Sequence, residues 1–182
     1  MRDRPTIMIT DDHDVFLSDL WGNGAALIES KRTSGGYPAH PDWVNAAEFT
    51  QTGHLPDPVN PGPHGAGIKS YYTSLEYGGV QFAILEDRKW KSPPSKVLKK
   101  QIIPRGVELP KKLRNHTGIE VVLDPDFDCT KLDDPQLHLL GKDQEEFLAD
   151  WSSGLKESGQ IGAVISASPW IHVAMYSATF AD

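Results

Sequence analysis

Tyr77-Gly78-Gly79-Val80-Gln81-Phe82-Ala83-Ile84-Leu85-Glu86-Asp87-Arg88 is the stretch that decides the fold. Val80 to Leu85 is nearly continuous in apolar character, which predicts a central strand rather than a half-exposed one. Tyr71 to Thr73, just upstream, also reads as extended. With Tyr77-Gly78-Gly79 as the turn between them, the two runs predict a β-hairpin. The second run stops abruptly in charge at Glu86-Asp87-Arg88, as a strand feeding a functional edge would.

Downstream, Leu139-Leu140-Gly141 introduces an amphipathic helix over Lys142 to Leu155, whose Phe147, Leu148, Trp151 and Leu155 fall on one face. Ser158-Gly159 ends it, and Ile161 to Ser166 predicts a further buried strand stopping at Ala167-Ser168-Pro169. Upstream, the β-branched run Thr6 to Thr10 predicts a buried strand that breaks off at Asp11-Asp12-His13-Asp14. From Val15, the residues Phe16, Leu20, Leu27 and Ile28 are compatible with one or two helical turns, interrupted by Gly22-Asn23-Gly24. Strand, hairpin, helix and strand together predict an α/β architecture. Residues 33–67 are dense in Gly and Pro and predict a long loop insertion with room for one short helix around Asp42 to Phe49. Residues 88–138 read as an irregular charged insertion, and the whole of 1–182 as a single domain.

Composition narrows the function classes. The 182 residues carry 25 acidic and 18 basic side chains, a formal charge of −7, which makes the chain a poor general binder of nucleic acid or anionic membrane. Arg88 to Arg114 does hold ten basic residues against the single acid Glu108, but Trp90 is its only aromatic and prolines break it, so no specific nucleic-acid recognition is expected. No apolar stretch is long enough for a membrane span, and the opening residues show no secretory leader pattern. Cys129 is the only cysteine, which excludes an internal disulfide and a thiolate zinc site. His40, His54 and His64 lie in the Gly/Pro-rich insertion at irregular spacing, and His116, His138 and His172 are isolated. None predicts a ligand set. Asp124, Asp126, Asp128, Asp133 and Asp134 alternate like calcium-loop oxygens, but Pro125 and the missing central Gly favour an acidic loop. Ser166 and Ser168 lack a Gly-x-Ser-x-Gly context, so they predict no serine hydrolase.

Asp11-Asp12-His13-Asp14 is the most unusual local feature, because three carboxylates and an imidazole at a strand end repel one another unless a cation or solvent accounts for them. One reading is an exposed acidic turn in which Asp14 caps the next helix. The other is a divalent metal site completed from other strands, since Asp oxygens and His nitrogen suit Mn, Fe, Zn, Mg or Ca.

Thr10-Asp11-Asp12-His13-Asp14-Val15 followed by Leu20-Trp21-Gly22 resembles the PhoD-like alkaline phosphatase and phosphodiesterase family of calcineurin-like metallophosphoesterases. Tyr71-Tyr72-Thr73, Tyr77-Gly78-Gly79-Val80 and Phe82-Ala83-Ile84-Leu85-Glu86-Asp87-Arg88-Lys89 are similar to that family's strand-plus-arginine block. Leu139-Leu140-Gly141 with Gln144, Phe147-Leu148 and Trp151 resembles its next helix. The resemblance implies an α/β sandwich with a mixed sheet, of which this chain matches the central part; the Asp-bearing and Gly-Asp strands that come earlier in the family, and the later Gly-Asp-x-His motif, do not occur in it. It implies hydrolysis of phosphate mono- or diesters at a dinuclear centre of Fe, Ca, Mn or Zn. Asp12 would stand for the family's metal-binding Asn, with Asp11 as a further candidate metal ligand. His13 would stabilise the transition state or protonate the leaving oxygen, and Asp14 would orient its ring. Arg88 matches the family's arginine as a substrate-binding residue, with a surface ion pair as the other reading, while Glu86 stands where many members have Asp. The partner implied is a phosphate ester. The competing expectation is a non-catalytic fragment or interaction module with at most weak metal affinity. In either case an uncovered sheet edge would favour self-association or a missing partner segment.

Overall fold

The computed structural model describes residues 4, 6–15, 20–28, 35–93, 130 and 134–168. Its hairpin joins β1 (Thr73–Tyr77) to β2 (Val80–Ile84), paired antiparallel with Thr73 opposite Ile84 and Tyr77 opposite Val80. Gly78 and Gly79 turn the chain at φ 61° and 78°, the positive pair that a two-residue turn needs to match strand twist. β3 (Ile161–Ile165) lies parallel to β2, with Val80 opposite Ile161 and Ile84 opposite Ile165. The sheet order is β1-β2-β3. Helices and this mixed three-stranded sheet make the protein α/β, as the sequence predicts.

Between β2 and β3 runs α3 (Lys142–Ser158), which packs on both strands. Its half-buried Phe147, Leu148, Trp151 and Leu155 form the expected stripe. Contact is so close at β3 that a Cβ on Gly162 would come within 2.8 Å of Trp151 Cη2. Tyr72, ahead of β1, meets the Phe147 ring at 5.5 Å. Gly159 ends the helix in the left-handed conformation and returns its N–H to Leu155 O.

α2 (Pro41–Thr52) is the short helix of the Gly/Pro-rich region. His40 caps it by accepting the Asp42 N–H on Nδ1, and Pro41 supplies a preset φ in the first turn. Val44, Glu48 and Thr52 are its buried stripe. Val44 joins Val15, Leu20, Ala25, Tyr37 and Ile68 in a core cluster, so this Gly/Pro-rich region supplies core as well as surface. α1 (Asp12–Val15) is a single turn against α2.

Several expectations are corrected. The hairpin's first strand is Thr73–Tyr77 rather than Tyr71 to Thr73, since Tyr77 pairs with Val80 and leaves Gly78-Gly79 alone as the turn. Residues 20–28 form a turn and a loop instead of a helix, the Gly22, Asn23 and Ala25 N–H groups going to the 88–91 turn. Thr6 to Thr10 forms no strand among the described residues, because no described segment offers it a ladder of backbone partners. Ile161 to Ile165 is a strand but not a buried one: Ile161 is 71 % and Val164 38 % exposed, since among the described residues β3 is an edge of the sheet and packs only on β2 and α3. Phe16, Cys129, His116, His172, Asp124, Asp126, Asp128 and Asp133, with the basic run after residue 93, lie outside the described residues.

Candidate functional site

The parallel ladder runs on past β2, with Leu85 N–H donating to Ile165 O at 2.9 Å, and delivers Glu86 and Asp87 into the interior. Gln144, fully buried on α3, then replaces the missing strand neighbour. Its Oε1 accepts Glu86 N–H at 2.9 Å, while its Nε2 donates to Glu86 O at 2.9 Å and Leu140 O at 2.8 Å. Asp87 O accepts from Trp90 and Lys91 N–H, closing a tight turn over residues 88–90.

A second loop docks on this turn. Gly22, Asn23 and Ala25 donate backbone N–H groups to the carbonyls of Arg88, Lys91 and Lys89. The approach requires glycine, as a Cβ on Gly22 would lie 2.5 Å from Lys89 Cα. Lys91 sits 4.5 Å above the Trp21 ring and donates to Ser168 Oγ at 3.1 Å. Burial, then Arg88, lower its pKa, opposed by Asp87, Asp11 and Asp12.

Arg88, its side chain 14 % exposed, reaches across to the acidic turn. Its Nε lies 2.5 Å from Asp11 Oδ1, a charge contact out of line for a hydrogen bond, and its Nη1 is 3.9 Å from Asp12 Oδ2. The fold thus joins the two sequence blocks that carry Asp11-Asp12-His13-Asp14 and Arg88. Within the turn, Asp11 Oδ1 accepts Asp12 N–H and Asp14 Oδ2 accepts Asp11 N–H, both at 2.8 Å, and Asp12 Oδ1 accepts His13 N–H at 2.9 Å. Asp14 thus supplies one half of a capping box, its carboxylate taking the Asp11 N–H, while its own N–H goes to the Asp11 backbone O and the Asp11 carboxylate takes the Asp12 N–H instead. Asp12 is buried, whereas His13 and Asp14 face solvent. Asp14 makes no hydrogen bond to the His13 ring among the described residues.

Beneath the turn lies a buried ionic hub that sequence reading missed. Lys89 Nζ contacts Glu48 Oε2 of α2 and, at 3.3 Å, Glu86 Oε2. Thr10, the residue before Asp11, directs its hydroxyl at Glu86 Oε2 from 3.4 Å. Burial pushes the Glu86 carboxyl up to about 8, with Asp87 adding to the rise, and burial pulls the Lys89 ammonium down to about 7. Asp87 is 1 % exposed, and neither of its carboxylate oxygens has a hydrogen-bond partner among the described residues.

Several residues that sequence reading placed on loops make local bonds. His64 stacks edge-on to Trp90 at 4.9 Å and meets Ser70 Oγ at 3.0 Å, His54 contacts Thr6 O, and His138 bonds to Ser92. Two open grooves of about 470 and 460 Å³, against α3 at Tyr72, Phe147 and Trp151 and beside α2 at Phe49, Leu55 and Tyr71, are not lined by the acidic turn or Arg88.

Among the described residues, no three His, Cys, Asp or Glu side chains stand together as a metal site. The donors of the turn are partly engaged by its own backbone, and a guanidinium adjoins them, so these residues alone do not fit a resident metal ion. No helix of the described residues is long and apolar enough to cross a membrane. No family model, no curated protein and no solved structure matches the chain.

Proposed function

We propose that this chain carries the His-Asp turn and the arginine of a metal-dependent phosphoesterase domain of the PhoD-like kind, acting on phosphate mono- or diesters. The observation that supports it is the contact of Arg88 with Asp11 and Asp12, which brings two blocks 74 or more residues apart together beside a solvent-facing His13. In this reading the His13 ring donates a proton to the leaving oxygen of the ester. Arg88 holds the acidic turn and contributes positive charge where a phosphate anion would approach. Any metal ion would take its further donors from outside the described residues.

The second reading is a non-catalytic α/β module, favoured by the use of the Asp11 and Asp14 carboxylates to cap their own turn. Elemental analysis after exposure to Mn, Fe, Zn and Ca, with a bis(4-nitrophenyl) phosphate assay, separates the two. The phosphoesterase reading expects retained metal that Asp12→Ala reduces, and hydrolysis that His13→Ala abolishes with metal content nearly intact. Equal hydrolysis by wild type and His13→Ala removes the role given to His13. A chain that retains no metal and hydrolyses nothing is the non-catalytic module.

A further inference from the structure

We infer that Glu86 is a positioning residue for the acidic turn, holding Thr10, and through it Asp11 to Asp14, in register with Arg88. Two contacts of this carboxylate, the fixing of its backbone and the reach of its neighbour Arg88 support the assignment. Its backbone is fixed on both sides by the Gln144 amide, so its Cα cannot drift along the strand axis. Its Oε2 receives the Thr10 hydroxyl at 3.4 Å, one residue before the turn begins. The same oxygen lies 3.3 Å from Lys89 Nζ, which is anchored in turn on Glu48 of α2. Arg88, two residues further on, closes the circuit by touching Asp11 and Asp12.

Thr6 to Thr10 has no strand pairing among the described residues, so side-chain contacts carry more of the task of placing Thr10 than they would in a sheet. The hub is buried, with Glu86 and Lys89 at 4 % and 2 % exposure, where a polar contact is strong and its loss costly. Glu86 touches neither His13 nor Arg88 in any bond described, and acts through Thr10.

The role of the turn in this inference rests on the phosphoesterase reading, and the test separates the two. The first arm follows the ring signals of His13 by NMR at fixed pH in metal-free protein, assigned with His13→Ala. Glu86→Gln and Thr10→Val are each expected to displace them while His40, the exposed N-cap of α2, keeps its wild-type signals. Thr10→Ser, which restores the hydroxyl, is expected to restore them. The second arm follows hydrolysis of bis(4-nitrophenyl) phosphate by Mn-loaded protein, where both variants are expected to lower kcat by about tenfold or more with KM changed by less than about twofold. Thr10→Val preserves shape, so it carries the test if Glu86→Gln does not fold. A lowered unfolding temperature with unmoved His13 signals shows a structural role only and overturns the inference. A wild type without hydrolysis sinks the phosphoesterase reading, while the His13 signals still decide whether Glu86 positions the turn.

Discussion

Replacing Gln144 by leucine removes three hydrogen bonds from one buried position at nearly constant side-chain volume. The Glu86 N–H and C=O lose the partner that stands in for a strand neighbour, and Leu140 O loses a donor. A buried backbone group left without a partner costs about 1–3 kcal/mol. With both Glu86 groups orphaned, and about 1 kcal/mol returned by the added apolar surface, the net loss is about 1–5 kcal/mol. Against the roughly 5–15 kcal/mol that holds a domain folded, that is a large fraction. Equilibrium urea unfolding followed by far-UV circular dichroism measures it. Gln81→Leu is the control, because Gln81 makes a solvent-exposed bond to Glu76 and should change stability by less than about 0.5 kcal/mol. If Gln144→Leu unfolds within 1 kcal/mol of wild type, roughly the worth of a single hydrogen bond, the amide does not complete the strand end and the reasoning fails.

Gly22→Ala should destabilise by about 2–4 kcal/mol, since its Cβ meets the Lys89 backbone and forces apart a loop joined by three backbone bonds. Gly24→Ala meets nothing within 4 Å and should cost only the roughly 1–2 kcal/mol of its positive φ, so a reversed order in urea unfolding would contradict the docking. The hub makes stability depend on pH in two opposed ways. The raised Glu86 group gives stability that is full below its unfolded value of 4.5 and is lost as pH rises through about 8. The depressed Lys89 group gives stability that is full above 10.5 and is lost as pH falls through about 7. The unfolding free energy of wild type minus that of Glu86→Gln/Lys89→Met should therefore pass through a minimum between about pH 7 and 8, and a flat difference would show that neither group is shifted by burial. Arg88→Met should free the acidic turn, and faster amide exchange at Asp11 to Asp14 would report it, whereas unchanged exchange would show that the turn's own bonds and the Thr10 contact hold it without Arg88.

What could be read in advance depended on range. The hairpin was legible because Gly78-Gly79 and an apolar run are local signals, and α3 because its stripe repeats with the helical period. Ile161 to Ile165 was legible as a strand, but a short apolar run does not reveal how many of its faces are covered. Lys89 and Glu48 are 41 residues apart, and nothing near either marks the other as its partner. Glu48 sits on the buried stripe of α2 where an apolar residue is the default, so a lone carboxylate there is a trace of the hub that only a helical-wheel reading of 41–52 would notice. Gln144 was marked only by the resemblance of its helix, and its structural task left no local sign because its partner is a backbone rather than a side chain. Of the candidate site, the cluster Asp11 to Asp14 stood out from its local charge, whereas the approach of Arg88 to it was suggested only by the family resemblance, since nothing near either residue marks the other.

The parallel pairing also sets an order of events in time. β1 and β2 meet across a two-residue turn, whereas Val80 must wait for Ile161, 81 positions further along the chain. At about 5–20 residues per second during synthesis, that interval is about 4–16 s. For all of it the hairpin exists with one side of β2 open, a row of free amides and carbonyls able to accept any extended segment that arrives first. The closing of α3 and β3 over that side is thus a non-local step, slower than the hairpin because of the loop it must close, and it is the stage at which crowded nascent chains are most exposed to one another.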